Sequence, residues 1–146
     1  MKRQNVIEVI ALLFFILFIY TATSKIIDYR RFVFQMRLAP LPILKQMAPI
    51  IGWALPLVEL LIAVGLLIKK YQEKALYMSV VLMVIFELYI GSMLLFNRQL
   101  PCTCGGIISQ MSWHAHVIFN ALLITLGVIA LRQIKQIRKF KSFNPE

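Results

Sequence analysis

The sequence predicts an all-α membrane protein, a bundle of four transmembrane helices with an interfacial first loop. Three observations carry that reading. The 146 residues are 60% hydrophobic, above the 45–50% usual in soluble domains. The apolar residues are gathered into four runs near the ~20 residues that span a bilayer. The Lys and Arg residues sit at the ends of those runs rather than inside them. A single membrane domain over 1–146 follows, with no room for a separate soluble one.

The first run covers about 6–24, with Lys2 and Arg3 before it and Lys25 closing it. A secretory signal peptide starts the same way, and Thr21-Ala22-Thr23 is a passable cleavage site. More membrane runs follow and Glu8 lies early in this one, so the reading is a retained helix. The segment from Lys25 to Pro49 is too apolar for a free linker, and Pro40, Pro42 and Pro49 break it up. It reads either as an interfacial cover over the outer mouth of the bundle or as a plain connector on the headgroups.

The second run, about 50–68, contains Pro56 and Glu59, and Lys69 to Lys74 make a tight turn into the third. The third run, about 75–96, contains Glu87. The fourth, about 113–131, contains His114, His116 and Asn120. Backbone that faces lipid has to satisfy its own hydrogen bonds, so each run is expected to be helical. The basic tail, 132–146, has Ile134, Ile137 and Phe140 at intervals of three among Lys and Arg, a pattern suited to a helix lying on anionic lipid.

Four spans put both termini on one side. That side carries ten Lys and Arg residues against six on the other, so the positive-inside rule favours cytoplasmic termini. The loop between the third and fourth runs then faces outward. The net charge of +10 is explained by topology and membrane lipid, and no nucleic-acid-binding pattern accompanies it.

That outward loop holds the only two cysteines, in Pro101-Cys102-Thr103-Cys104-Gly105-Gly106. Extracytoplasmic compartments sustain disulfides. A bond across one intervening residue is strained, and strained, exposed disulfides are the labile or catalytic kind. Gly105 and Gly106 give the backbone latitude, and Arg98 or the N-terminus of the fourth helix favours a thiolate. Two other readings stand beside redox cycling. One is Cu(I) binding with Met111, His114 or His116 as helpers. The other is a structural bridge, which gains little stability from so short a loop.

His116 and Asn120 are four apart and share a helix face, with Trp113 one turn earlier. Polar groups in membrane helices face a bundle interior or a cavity. His116 is thus a candidate proton donor or acceptor for the thiols, or an interhelical hydrogen-bonding group. His114 points elsewhere, as an interfacial residue. Glu59 and Glu87 are the acidic groups deepest in the runs. Glu59 is a candidate proton relay or headgroup contact, and Glu87 a candidate partner for His116 or Asn120; each has packing as its alternative. The aromatic residues Trp53, Tyr71, Tyr77, Tyr89 and Trp113 read as interface belt, though a quinone site needs similar side chains. No phosphate loop, nucleophilic triad or zinc spacing occurs, and no resident metal is expected.

These residues resemble the MauE/DoxX group of small redox-associated membrane proteins along nearly the whole chain. The resemblance includes Thr23-Ser24-Lys25-Ile26-Ile27-Asp28, Leu38-Ala39-Pro40-Leu41-Pro42 and the stretch from Leu57 to Leu67. It is most specific at Leu100-Pro101-Cys102-Thr103-Cys104-Gly105-Gly106 with Ser112-Trp113, His116, Phe119 and Asn120. The match is to the Cys-x-Cys-Gly-Gly branch rather than to the Cys-Gly-Cys-Phe-Gly of many methylamine-utilisation members. It implies four transmembrane helices in a bacterial cytoplasmic (inner) membrane and thiol–disulfide processes outside the cytoplasm. In the family pattern Cys102 and Cys104 match the redox pair and Glu59 the recurrent acidic position; Glu87 has no counterpart. MauE itself is tied to maturation of a disulfide-rich methylamine dehydrogenase subunit, a substrate not carried over because the motif differs. Vitamin K epoxide reductase offers an analogy for a four-helix bundle that links thiols to quinone.

The expectation is therefore a membrane thiol–disulfide redox protein. Cys102 and Cys104, assisted by His116, exchange electrons with a thioredoxin-like or folding partner and with a membrane quinone. Whether it is an enzyme stays open. The alternatives are a non-enzymatic accessory subunit of a membrane complex and a Cu(I)-handling protein.

Overall fold

A computed structural model describes residues 2–38, 42–96 and 113–143 of the chain. All described elements are helical: α1 (Lys2–Ile27), α2 (Tyr29–Arg37), α3 (Pro42–Leu67), α4 (Gln72–Phe96) and α5 (Trp113–Phe143). Four of them hold segments long and apolar enough to cross a membrane, namely Gln4–Ile27, Pro42–Leu67, Gln72–Leu95 and His114–Phe140. Cys102, Cys104, Arg98, Met111, Pro40 and the side chain of Trp113 lie outside the described residues.

The bundle closes around helical stripes. On α1 the buried residues are Ile7, Ile10, Ala11, Phe14, Phe18 and Ala22, one every three or four positions, which is one face of an α-helix. α3 answers with Ala48, Gly52, Pro56, Glu59, Ile62, Ala63 and Leu66. α1 packs most extensively on α3, and α4 on α5 and α3. Phe14, Phe18, Leu66, Leu76, Met83 and Leu123 meet in the shared core. The opposite faces, such as Leu61 and Leu95, are exposed, as expected where lipid rather than protein is the neighbour.

The first loop is the main departure from the sequence reading. α1 continues to Ile27, and α3 starts at Pro42 rather than near Ile50. Pro42 occupies the first helical position, where its missing N–H is no loss. Pro49, expected to break the segment, lies inside α3 with Pro56; membrane helices tolerate such prolines when neighbouring groups satisfy the freed backbone. The Tyr29 hydroxyl donates to the Pro49 carbonyl at 3.1 Å. Most of the remaining segment forms α2, an amphipathic helix whose Val33 and Met36 pack on Ala48 of α3. Of the two readings of this segment, the cover rather than the plain connector matches that packing.

At the other end of the bundle a short turn joins α3 to α4, closed by Tyr71 N–H donating to Ile68 O at 2.8 Å. The basic tail does not form a separate helix lying on lipid. It prolongs α5 to 31 residues, about 46 Å at 1.5 Å per residue, well beyond the ~30 Å of hydrocarbon. Its Arg138 pairs with Glu73 at the start of α4, and Lys69 pairs with Glu8 at 3.5 Å.

Two glycines permit the close approaches. A Cβ on Gly127 of α5 would lie 2.4 Å from Val80 Cγ2 and 3.2 Å from Phe14 Cζ. One on Gly52 of α3 would lie 2.7 Å from Val33 Cγ2 and 2.8 Å from Tyr29 Cε2, so Gly52 is what lets α2 settle on α3. A Cβ on Gly91 of α4 would meet nothing within 4 Å. Gly127→Ala is therefore expected to lower stability by about 1–3 kcal/mol through overpacking, whereas Gly91→Ala leaves it unchanged or raises it by up to ~1 kcal/mol. Thermal unfolding of the two variants in detergent checks the contrast.

Candidate functional site

The buried stripe of α1 ends in a charge. Positions 14, 18, 22 and 25 continue one helical face, which carries Lys25 inward at the level where α3 presents Glu59. Lys25 Nζ donates to Glu59 Oε1 at 2.7 Å. The Lys25 side chain is 15% exposed and that of Glu59 is 0% exposed, so this is a buried ion pair. Lys25 also approaches the Thr21 carbonyl at 3.5 Å and lies over the rings of Phe86, 5.1 Å from its centroid, and Phe32, 5.8 Å from its centroid. An ammonium over a ring face is attracted by its quadrupole. The pair therefore joins α1 to α3 and places its cation between aromatic side chains of α2 and α4.

Beside the pair lies a cavity of about 120 Å³, lined from all five helices. It extends from buried Glu59 to exposed Asp28 and Arg31. Phe18, Phe32, Phe86, Tyr89 and Phe119 contribute aromatic walls. His116 and Asn120 line it from α5, with Asn120 buried. The i, i+4 spacing that groups these two residues in the sequence thus brings both to the cavity that Glu59 borders. His114, by contrast, is exposed.

Several buried polar atoms here have no hydrogen-bond partner: Gln35 Nε2, Glu59 Oε2 and His116 Nδ1. All three residues line the cavity, and they come from α2, α3 and α5. Glu87 Oε2 is also unpartnered. Glu87 does not border the cavity. The expected pairing of Glu87 with His116 or Asn120 is not among the hydrogen bonds of the described residues.

Lys25 and Gln35 are functional candidates that the sequence reading does not single out. In the sequence Lys25 looks like no more than the basic end of the first run, although its position on the Phe14–Phe18–Ala22 face is a signal available in the spacing. Gln35 is hidden in a segment that reads as a loop; once α2 is helical, Asp28, Arg31, Phe32 and Gln35 fall on one face. Groups of three or more His, Cys, Asp or Glu residues suited to a metal are absent among the described residues.

Removing one member of a buried ion pair leaves an uncompensated charge and costs about 3–5 kcal/mol, while replacing both by apolar groups is often neutral. Glu59→Leu is expected to lower stability by that amount, and Lys25→Met/Glu59→Leu to recover most of it. Unfolding of the two single variants and the double variant tests this; additive losses would show that the pair is not coupled.

Residues 3–133 match the family model described as Methylamine utilisation protein MauE. Searches of curated proteins and of solved structures gave no match. The matched region takes in the first three membrane-spanning segments, most of the fourth and every residue of the cavity, and with that coverage the chain belongs to the MauE family of multi-pass membrane proteins.

Proposed function

We propose that this chain is a membrane accessory protein of methylamine utilisation whose chemistry is thiol–disulfide exchange at Cys102 and Cys104. The observation that carries this reading is where the cavity lies in the connectivity. Its walls include Phe86, Tyr89 and Ile90 near the end of α4 and His116, Phe119 and Asn120 near the start of α5. The segment with the two cysteines joins those helix ends. Five residues lie between Phe96 and Cys102, a six-step reach of up to about 20 Å, and Ile90 is only ~9 Å back along the helix. Chain length therefore permits the thiols to work at the cavity's edge.

The exchange proceeds by attack of one thiolate on a partner disulfide, giving a mixed disulfide. The second thiolate then attacks the sulfur on its own chain. The partner leaves as a dithiol and Cys102–Cys104 becomes a disulfide. The partner class is a thioredoxin-like domain or a folding protein with disulfides. His116, which lines the cavity from the start of α5, is the proposed acceptor of the thiol proton. In the opposite direction a thiolate of a partner dithiol attacks the Cys102–Cys104 disulfide, the partner leaves as a disulfide, and the resulting Cys102/Cys104 dithiol passes two electrons and two protons to a membrane quinone. With both termini cytoplasmic, the exchange takes place on the outer face of the inner membrane.

Alkylation trapping in intact cells tests the chemistry. Cys102 and Cys104 are expected in both reduced and disulfide forms, and one of the variants Cys102→Ser and Cys104→Ser is expected to accumulate a mixed disulfide. Cysteines that are always reduced and never linked to a partner would sink the reading. If both serine variants then kept the function, a purely architectural accessory role would replace it. A membrane-impermeant thiol reagent is expected to label the reduced pair from outside the cytoplasmic membrane. Labelling only after the membrane is broken would overturn the assigned orientation.

A further inference from the structure

We infer that the cavity beside Lys25 and Glu59 is the binding site for the headgroup of a membrane quinone. Size is the first argument. An apolar engineered cavity of about 150 Å³ accepts one benzene ring, and this cavity is about 120 Å³ with an open continuation toward Asp28 and Arg31. Cavity and open continuation together are of the size of a single ring.

Charge is the second argument. The charged lining residues are Lys25 and Arg31 against Asp28 and Glu59, so their formal charges cancel. A phosphate or carboxylate ligand would meet no net positive field there, whereas an uncharged ring meets no electrostatic penalty. The five aromatic side chains of the wall suit stacking against a flat ring.

Hydrogen bonding is the third and most specific argument. The unpartnered atoms are an amide nitrogen on Gln35, a carboxylate oxygen on Glu59 and an imidazole nitrogen on His116. Glu59 is fully buried, and buried polar atoms in folded proteins are nearly always satisfied. The set needs a ligand that offers both acceptors and donors. A quinone offers two carbonyl acceptors, and its quinol offers two hydroxyl donors. Lys25 and Gln35 donate to the carbonyls, while Glu59 Oε2 accepts from a hydroxyl. His116 Nδ1 serves either form through its tautomers.

The assignment of this ligand as the electron acceptor rests on the thiol–disulfide reading above; binding itself does not. In the combined step two S–H bonds break and the Cys102–Cys104 S–S bond forms. Two electrons and two protons then reach the two carbonyl oxygens, converting quinone to quinol.

The test uses the full chain in lipid nanodiscs as the Cys102→Ser/Cys104→Ser variant, so that binding is read without turnover. The probe is an azidobenzoquinone with a short alkyl tail, photolysed and mapped by peptide mass spectrometry. Label is expected at the end of α1, in α2 and in the first turns of α5, and excess unlabelled quinone is expected to remove it. Gln35→Leu and His116→Leu are each expected to weaken that binding by up to about tenfold, the cost of a lost hydrogen-bonding partner. Leu61→Ala, at an exposed position on the outer face of α3, leaves it unchanged. Thermal unfolding of each variant separates lost binding from lost fold. An alkyl chain without the ring competing equally well, or label confined to lipid-facing residues such as Leu61 and Leu95, overturns the site. Intact labelling with cysteines that never react removes the electron-transfer role and keeps the site, so the two failures are distinguishable.

Discussion

The Lys25–Glu59 pair is the constraint around which the α2-bearing half of this molecule is arranged. Two charges buried in a membrane bundle cannot be placed independently, because the desolvation of each is offset only by the other. Their 2.7 Å contact therefore sets the register of α1 against α3. With that register in place, Phe14 and Phe18 enter the core that includes Ile62, Ala63 and Leu66, and the chain leaves α1 two residues beyond Lys25. α2 follows at once and folds back onto the first half of α3, where Gly52 leaves room for Tyr29 and Val33. The cover over the cavity thus begins at the turn made by Asp28, just past the ion pair.

The two ends of the bundle use charge in different ways. Around the α3–α4 turn and the far end of α5, Lys69–Glu8 and Arg138–Glu73 are exposed or half-exposed pairs. Such pairs contribute about 0–1 kcal/mol each and are screened by salt, so they trim the helix ends rather than organise them. At the opposite end the single described pair is buried, ringed by aromatic side chains and next to a cavity. One end is built as a surface and the other around a partly buried interior.

The four spans are legible in the sequence because lipid forces the pattern: helical, apolar and about 20 residues long. The shared face of His116 and Asn120 is legible from their i, i+4 spacing. The helix boundaries in the first loop are not, since Pro42 and Pro49 carry opposite meanings in water and in a membrane bundle. Proline reads as a breaker when water is the alternative hydrogen-bonding partner, and is tolerated inside membrane helices. Glu59 stands out as an isolated acid deep in its run, but its partner is 34 positions away in sequence, a relation that periodicity within one helix does not contain. Gln35 needs α2 to exist before its face has meaning.

The incomplete hydrogen bonding around the cavity argues for function more strongly than the ion pair does. A buried pair alone has an architectural explanation, because it fixes helix register. Gln35, the second oxygen of Glu59 and the Nδ1 nitrogen of His116 have none: each unsatisfied buried group costs about 1–3 kcal/mol, and apolar residues of similar volume would pack α2, α3 and α5 together without that cost. The three residues come from three different helices and all line one cavity. Independent packing accidents would scatter them through the bundle, as Gln133 Oε1 on the far part of α5 illustrates. That grouping supports the proposed ligand site, in which a bound molecule supplies partners that packing alone does not.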